Sequence, residues 1–229
     1  MNLKYKYPQD LVVNEDIYQM NERELKTIVY KLGNSKSIIY QAELLELGAS
    51  LDQVEHLVAT EILYPSAKGI YMPINADFEK FHSEVEAAAR FPYGIMCLIT
   101  ALNYHELTTQ MPREIWIAYP ENSPEPIEPK LPIRGIPMSD IDLSSGIDIH
   151  MLEGIPVKIF NVAKTIADCF LWSYLVGTDV AEEAFEEAIA YKKCTIQEVL
   201  SYFEKRNLNK YSERNLNKCI ERINRIYAK

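Results

Sequence analysis

Residues 37–73 constrain the fold more than any other stretch, because helix and strand patterns follow one another there in a defined order. Apolar residues recur at helical spacing up to residue 47, Gly48 ends that segment, and Ser50 can cap a second helix over residues 51–61. Two short β-prone runs, ILY and IYM, then flank the turn PSAKG. This order predicts a helix-turn-helix followed by a β-wing.

The rest of the chain also mixes helix and strand patterns. An almost wholly apolar segment over residues 94–102 predicts a buried helix, and two β-prone runs around a Glu-Gly turn predict a hairpin over residues 147–160. Helices follow to the end of the chain, with Asn161, Asp179 and Thr195 as the predicted N-caps.

We therefore expect an α+β fold of two domains. Residues 1–75 are predicted to form a winged helix-turn-helix domain, because the helix-turn-helix and hairpin patterns both end there. Residues 76–229 are predicted to form a mixed α/β domain that ends in helices. A domain of this length typically has one hydrophobic core.

Charge is distributed unevenly along the chain. The net charge is -9, but residues 1–75 carry -3, residues 76–190 carry -12 and residues 191–229 carry +6. The basic end is either an ordinary solvated helix face or a patch for phosphates or an acidic partner. Its predicted phosphate-contacting residues are Lys205, Arg206, Lys210, Arg214, Lys218, Arg222 and Arg225.

The residue patterns of common enzymes are absent from the sequence. It contains no Gly-rich phosphate loop, GxSxG or HExxH motif, and its four histidines are too scattered to suggest a metal site. Glu128 and Lys130 have the spacing of a nuclease site, but they fall in a proline-rich loop that would not hold the geometry. We expect no catalytic residue, metal or cofactor.

Two other groups of residues allow more than one interpretation. His105 lies beside Glu106, and the structural interpretation, a histidine at the end of the apolar helix, is favoured over a catalytic one. Lys164 and Asp168, four residues apart, suggest a surface ion pair. The alternative is that Lys164 and Thr165 bind an anion near a helix N-terminus.

The four cysteines are far apart and lie in apolar helical patterns, which is typical of reduced core thiols. They predict a cytoplasmic protein. No stretch is apolar over the length of a signal peptide or a membrane span, so we expect no membrane partner.

Three ordered blocks resemble one known family, the AbiEi-type antitoxins and transcriptional regulators of phage-defence (type IV toxin-antitoxin) loci. The first is the winged segment, with AELLELGAS at residues 42–50 and GIYMP at residues 69–73. The second, ITALNYHELTTQMP at residues 99–112, is similar to the family's Ser-Ala-Leu, His-Gly-Leu-Thr, Gln-x-Pro block. The third combines EGIPVKI at residues 153–159 with AKTIADC at residues 163–169.

The resemblance implies a DNA-binding autorepressor and antitoxin. In that family the N-terminal domain binds an inverted repeat in its own promoter, and the C-terminal domain counteracts a nucleotidyltransferase-like toxin without a stable complex. An inverted repeat requires two winged domains on one duplex, which either a weak dimer or two monomers would supply. Carried onto this chain, residues 51–61 are the recognition helix, and the predicted DNA contacts in and around the winged domain are Lys36, Ser50, Gln53, His56, Thr60 and Lys68.

The predicted recognition helix departs from the family pattern in its charge. It contains Asp52, Glu55 and Glu61 and no lysine or arginine, although a DNA-reading helix normally supplies hydrogen-bond donors and positive charge. The alternative function is therefore a protein-interaction module, whose winged domain no longer binds DNA and whose C-terminal domain contacts a partner protein.

Overall fold

The computed structural model of the chain describes residues 20–204 and 210–227, except for the side chains of residues 210–216 and 227. The described residues divide into two compact units. The first unit comprises residues 20–35 and 39–76, and the second comprises residues 36–38 together with the described residues from 77 onward.

The first unit contains three helices and a three-stranded antiparallel sheet of order β1-β3-β2. In chain order its elements are α1 (Glu22–Gly33), β1 (Ile39–Tyr40), α2 (Gln41–Glu46), α3 (Leu51–Ala59), β2 (Leu63–Ala67) and β3 (Ile70–Pro73).

The core of the first unit comes from one face of each helix together with the sheet. Leu25 of α1, Leu44 of α2 and Leu57 of α3 are fully buried in one cluster. Between α2 and α3, Gly48 adopts φ 97°, a conformation that glycine reaches without strain, and the backbone N–H of Ala49 donates to Leu44 O at 3.0 Å. Four residues therefore suffice to join α2 to α3.

The second unit is built on a five-stranded mixed sheet of order β6-β5-β4-β8-β7. The central pair β4 and β8 is parallel, as is the β5 and β6 pair, whereas β4 with β5 and β7 with β8 are antiparallel. The strands are β4 (Ile95–Met96), β5 (Ile115–Pro120), β6 (Ile133–Met138), β7 (Ile147–Leu152) and β8 (Ile155–Phe160).

The helices of the second unit share one large core with its sheet. They are α4 (His82–Arg90), α5 (Leu98–Tyr104), α6 (Asp140–Leu143), α7 (Val162–Leu171), α8 (Ser173–Val176), α9 (Thr178–Ala190), α10 (Ile196–Glu204) and α11 (Lys210–Tyr227). Helix α7 lies at the centre, where Ile166 and Phe170 belong to the same cluster as Phe185 of α9, Phe203 of α10 and Ile223 of α11. Eight of the ten residues of α7 are buried, including the polar Lys164, Thr165 and Asp168.

Several local predictions are confirmed. Residues 147–160 form the predicted hairpin, with Ile147 opposite Phe160, and β2 pairs with β3 in the predicted hairpin before Pro73. Asn161 caps α7 by accepting from Lys164 N, and Thr195 Oγ1 accepts from Glu198 N at the start of α10. The described residues thus form a mixed α+β fold with eleven helices and two sheets.

Other local predictions were wrong at the boundaries of helices. Ile39 and Tyr40 pair with β3 as a strand, so the helix predicted from residue 37 begins only at residue 41. Ile95 and Met96 form the short central strand β4, where a helix was predicted. Helix α9 begins after Gly177 without a side-chain cap, so Asp179 is not its N-cap. Short apolar runs suit a buried strand as well as a buried helix, and only the available pairing partner decides between them.

Candidate nucleic-acid interface

The exposed face of α3 is acidic. Asp52 and Glu55 on α3 and Glu61 just after it are solvent-exposed, whereas Val54 and Leu57 face the core. The helix carries no lysine or arginine, and its titratable base is His56. A phosphate backbone approaching this face alone would meet like charge, so positive charge has to come from elsewhere in the protein.

Ser50 and Gln53 are engaged in hydrogen bonds at the start of α3. They form a capping box in which Gln53 N donates to Ser50 Oγ at 3.2 Å and Ser50 N donates to Gln53 Oε1 at 2.9 Å. The amide Nε2 of Gln53 also donates to Met20 O at 2.6 Å. Both predicted DNA contacts are therefore already engaged in the cap of α3, and Gln53 also ties the helix to the segment before α1.

His56 and Thr60 lie on the exposed side of the same helix. His56 Nε2 lies 3.2 Å from Glu22 Oε1, and the exposed carboxylate of Glu22 also pairs with Lys26 at 2.5 Å. These partners hold the pKa of the Glu22 carboxyl below its ordinary value, with Lys26 as the main cause. The hydroxyl of Thr60 donates to His56 O at 2.8 Å.

Lys68 stands at the tip of the β2–β3 hairpin. It is exposed and precedes Gly69, whose φ of 72° closes the turn. Lys36, by contrast, is half-buried and belongs to the second unit, so the structure does not group it with α3 or with the hairpin.

Helix α11 is rich in basic residues. Lys210, Arg214, Lys218 and Arg222 follow one another at four-residue spacing in the sequence, and Arg225 lies three residues further on. Lys218 and Arg225 are exposed, whereas Ile223 faces the core. Lys205 and Arg206 lie outside the described residues, and only the backbone is described for Lys210 and Arg214.

The Lys164 and Asp168 pair is buried, so the prediction of a surface ion pair was wrong. Lys164 Nζ lies 2.5 Å from Asp168 Oδ2, with side-chain exposures of 2% and 0%. The ammonium also lies over the Phe160 ring, 4.3 Å from its centroid. Thr165 is equally buried and donates its hydroxyl hydrogen to Phe160 O at 3.0 Å. Both side chains of the predicted anion site are shielded from solvent, so neither is placed to bind an anion.

His105 ends α5 and connects it to β8. Its ring Nε2 lies 2.7 Å from Phe160 O, and because a carbonyl only accepts, this nitrogen must carry the hydrogen. Burial holds the pKa of the ring below its ordinary value. Lys193 Nζ in turn donates to His105 O at 2.5 Å. These bonds agree with the structural role that the sequence favoured.

The predicted nuclease-like pair lies on the loop between β5 and β6. Lys130 N donates to Glu128 Oε1 at 3.2 Å, and Arg90 lies 3.8 Å from the same carboxylate. Across residues 20–204 and 210–227, no three His, Cys, Asp or Glu side chains come together as metal ligands.

Sequence reasoning missed an aromatic pair beside the basic helix, formed by the half-buried Trp172 and the exposed Tyr174. Trp172 and Tyr174 stack with centroids 6.0 Å apart and an interplanar angle of 29°, and Tyr174 is 75% exposed. The pattern W-x-Y at residues 172–174 was the signal in the sequence that could have indicated this pair. In the part of the chain that the structure describes, no helix is long and apolar enough to cross a membrane.

Comparison with known proteins identifies a similar fold. The crystal structure of RV2827C protein from Mycobacterium tuberculosis aligns with a TM-score of 0.59 at 10% sequence identity, over 85% of this chain and 75% of that chain. At this identity the similarity concerns the fold alone. No protein-family model matches the chain, and no curated protein matches its sequence significantly.

Proposed function

We propose that this protein is a DNA-binding transcriptional regulator whose first unit is a winged helix-turn-helix. The observation that carries the proposal is the order α1-β1-α2-α3-β2-β3 with a β1-β3-β2 sheet. Helices α2 and α3 are joined by the four-residue turn at Gly48, which supports the proposal that α3 is the helix that would enter the major groove. The hairpin β2–β3 carries Lys68 at its tip, where a wing would contact a phosphate.

The resemblance of the three sequence blocks extends this proposal to repression of the protein's own operon and to antitoxin activity. The operator would be an inverted repeat, bound by a weak dimer or by two monomers. The partner would be a nucleotidyltransferase-like toxin, counteracted without a stable complex.

The acidic surface of α3 determines how such a protein would bind DNA. Asp52, Glu55 and Glu61 repel phosphates, so affinity must come from Lys68 at the hairpin tip and from the basic residues of α11. His56 on α3 and Thr60 directly after it are then the exposed, uncharged side chains that would contact base edges. We expect modest affinity with a strong salt dependence.

A titration of the full chain against a duplex of its own upstream region tests this function. Lys68→Ala should weaken binding uniformly across sequences and lower the slope of log K against log salt by about 1, since one phosphate contact is lost. Lys31→Ala is the matched control, because Lys31 is an equally exposed lysine on α1 outside the proposed interface. Absence of retardation at micromolar protein and low salt, with a native circular dichroism spectrum, would refute DNA binding.

A second function is favoured by the same acidic helix face. If α3 no longer contacts DNA, the protein is a protein-interaction module, and the basic residues of α11 contact an acidic partner. A pull-down of the neighbouring gene product with the charge-reversed variant Lys218→Glu/Arg225→Glu separates the two functions. Loss of the partner with unchanged duplex binding supports the interaction module, and loss of duplex binding without any captured partner supports the regulator.

A further inference from the structure

A groove on the second unit lies between the end of α7, α8 and the basic helix α11. Its volume is about 360 Å³, within the range of small-ligand sites. The buried Phe170 and the half-buried Cys219 line it from within, and Cys219 Sγ lies 3.5 Å from Phe170 O. Tyr174, Lys218 and Arg222 also line it, together with Leu171 and Ser173.

The aromatic side of the groove is formed by an exposed ring. Tyr174 is 75% exposed and lines the groove, and the Trp172 ring stacks beside it. The exposed ring of Tyr174 offers a face on which a flat ligand can stack.

The cationic side of the groove is ordered. Arg222 is fixed by its ion pair with Glu182 of α9, and Lys218 is exposed one helical turn earlier. Over residues 210–227 the helix carries five basic and two acidic residues, so the helix that forms this wall of the groove has a net positive charge. A positively charged wall attracts phosphates.

We infer that this groove binds single-stranded nucleic acid, with an unpaired base stacked on Tyr174 and the adjacent phosphate beside Lys218. Stacking on an exposed ring next to cations is the mode by which proteins hold single strands with little sequence preference. A duplex does not offer the face of a base to a side chain, so dependence on the Tyr174 ring distinguishes single-strand binding here from the proposed duplex binding, in which Lys218 would also contact phosphates. An acidic peptide would use the cations without requiring the ring.

Fluorescence anisotropy of the full chain with a labelled oligothymidylate of about 12 nucleotides tests the inference. We expect the wild type to bind with a Kd of about 1–100 µM at low salt. Tyr174→Ala should weaken binding about tenfold, whereas Tyr174→Phe, which keeps the ring, should not. Tyr191→Ala is the matched control, since Tyr191 is 71% exposed and does not line the groove. Lys218→Ala should lower the salt slope by about 0.7.

The results separate this inference from the proposed function. Single-strand binding that depends on Tyr174 upholds the inference even if the wild type fails to bind its upstream duplex. The inference is overturned if the oligothymidylate is not bound, or if Tyr174→Ala binds it like the wild type. It is also overturned if a polyglutamate peptide binds with an affinity that Tyr174→Ala leaves unchanged and the oligothymidylate does not compete with it.

Discussion

Lys164 and Asp168 form an ion pair inside the second unit, one turn apart on α7. Both side chains are removed from water, and the Phe160 ring lies against the ammonium group. Burial of the two charges costs desolvation energy, and their attraction offsets this cost only while both partners are present. The pair therefore makes this part of the core sensitive to single substitutions.

Removal of one partner should destabilise the protein strongly. We expect Lys164→Met to lower the free energy of unfolding by about 3–5 kcal/mol, because Asp168 is left as an uncompensated buried charge. The double variant Lys164→Met/Asp168→Leu should recover most of this loss. Urea unfolding followed by tryptophan fluorescence measures both, since Trp116 and Trp172 lie in the second unit. A single-variant loss below about 1 kcal/mol would contradict the burial of the pair.

His105 should make stability depend on pH. Burial lowers the pKa of its ring in the folded protein, so the unfolded chain binds a proton first as the pH falls. The contribution of His105 is complete above the ordinary histidine pKa of about 6.5 and is lost as the pH falls from there through the lower folded value.

The variant His105→Gln isolates this effect, because glutamine keeps a side-chain donor but does not titrate. We expect the difference in free energy of unfolding, wild type minus variant, to decrease between about pH 7 and pH 5. Burial raises the pKa of Glu84, which acts in the opposite direction but contributes equally to both proteins. A difference that stays constant over this range would show that the His105 ring is not shifted.

At the scale of elements, α3 depends on its own N-terminus. Val54 and Leu57 anchor the helix in the core, and the capping box of Ser50 and Gln53 holds its first turn. The same helix is the proposed DNA-contacting element, and its geometry depends on how firmly its first turn is held.

Ser50→Ala should destabilise the first unit by about 1 kcal/mol, since the exposed N–H of Gln53 loses its acceptor. Ser50→Asp should retain the stability, because a carboxylate caps equally well and interacts favourably with the helix dipole. Thermal unfolding followed by far-ultraviolet circular dichroism is the measurement. Equal stability of the alanine and aspartate variants would show that the cap contributes nothing.

At the scale of the whole molecule, each unit has its own hydrophobic core. The cluster around Leu57 in the first unit and the cluster around Phe185 in the second share no residue. Separate cores are typical of units that unfold separately. Both tryptophans of the sequence lie in the second unit, so their fluorescence reports on that unit.

Core substitutions should therefore be detected by different probes. Leu57→Ala, which we expect to cost about 2–5 kcal/mol, should shift part of the circular dichroism transition and leave the tryptophan transition in place. Phe185→Ala, at about 3–5 kcal/mol, should shift the tryptophan transition. If Leu57→Ala shifts both transitions together, the chain unfolds as one cooperative unit.

Local signals in the sequence were sufficient for many elements. Ser50, Asn161 and Thr195 cap helices where predicted, and the hairpin at residues 147–160 forms around its Glu-Gly turn. Caps and tight turns depend on a few neighbouring residues, so they can be recognised without knowledge of the fold. The short strands β1 and β4 could not be recognised, because a two-residue strand exists only through its partner in the sheet.

Residue patterns were sufficient to predict the α+β composition, the order of the three helices and the hairpin in the first unit, though not strand β1, and the excess of positive charge at the C-terminal end. Each of these depends on residues close together in the chain. Tertiary structure alone decided that Lys164 and Asp168 are buried, that the Gln53 side chain also bonds to Met20 O, and that Tyr174 lies beside Lys218 at a groove. Burial and proximity depend on which distant segments pack together, and the charge or periodicity of a single segment does not specify its neighbours.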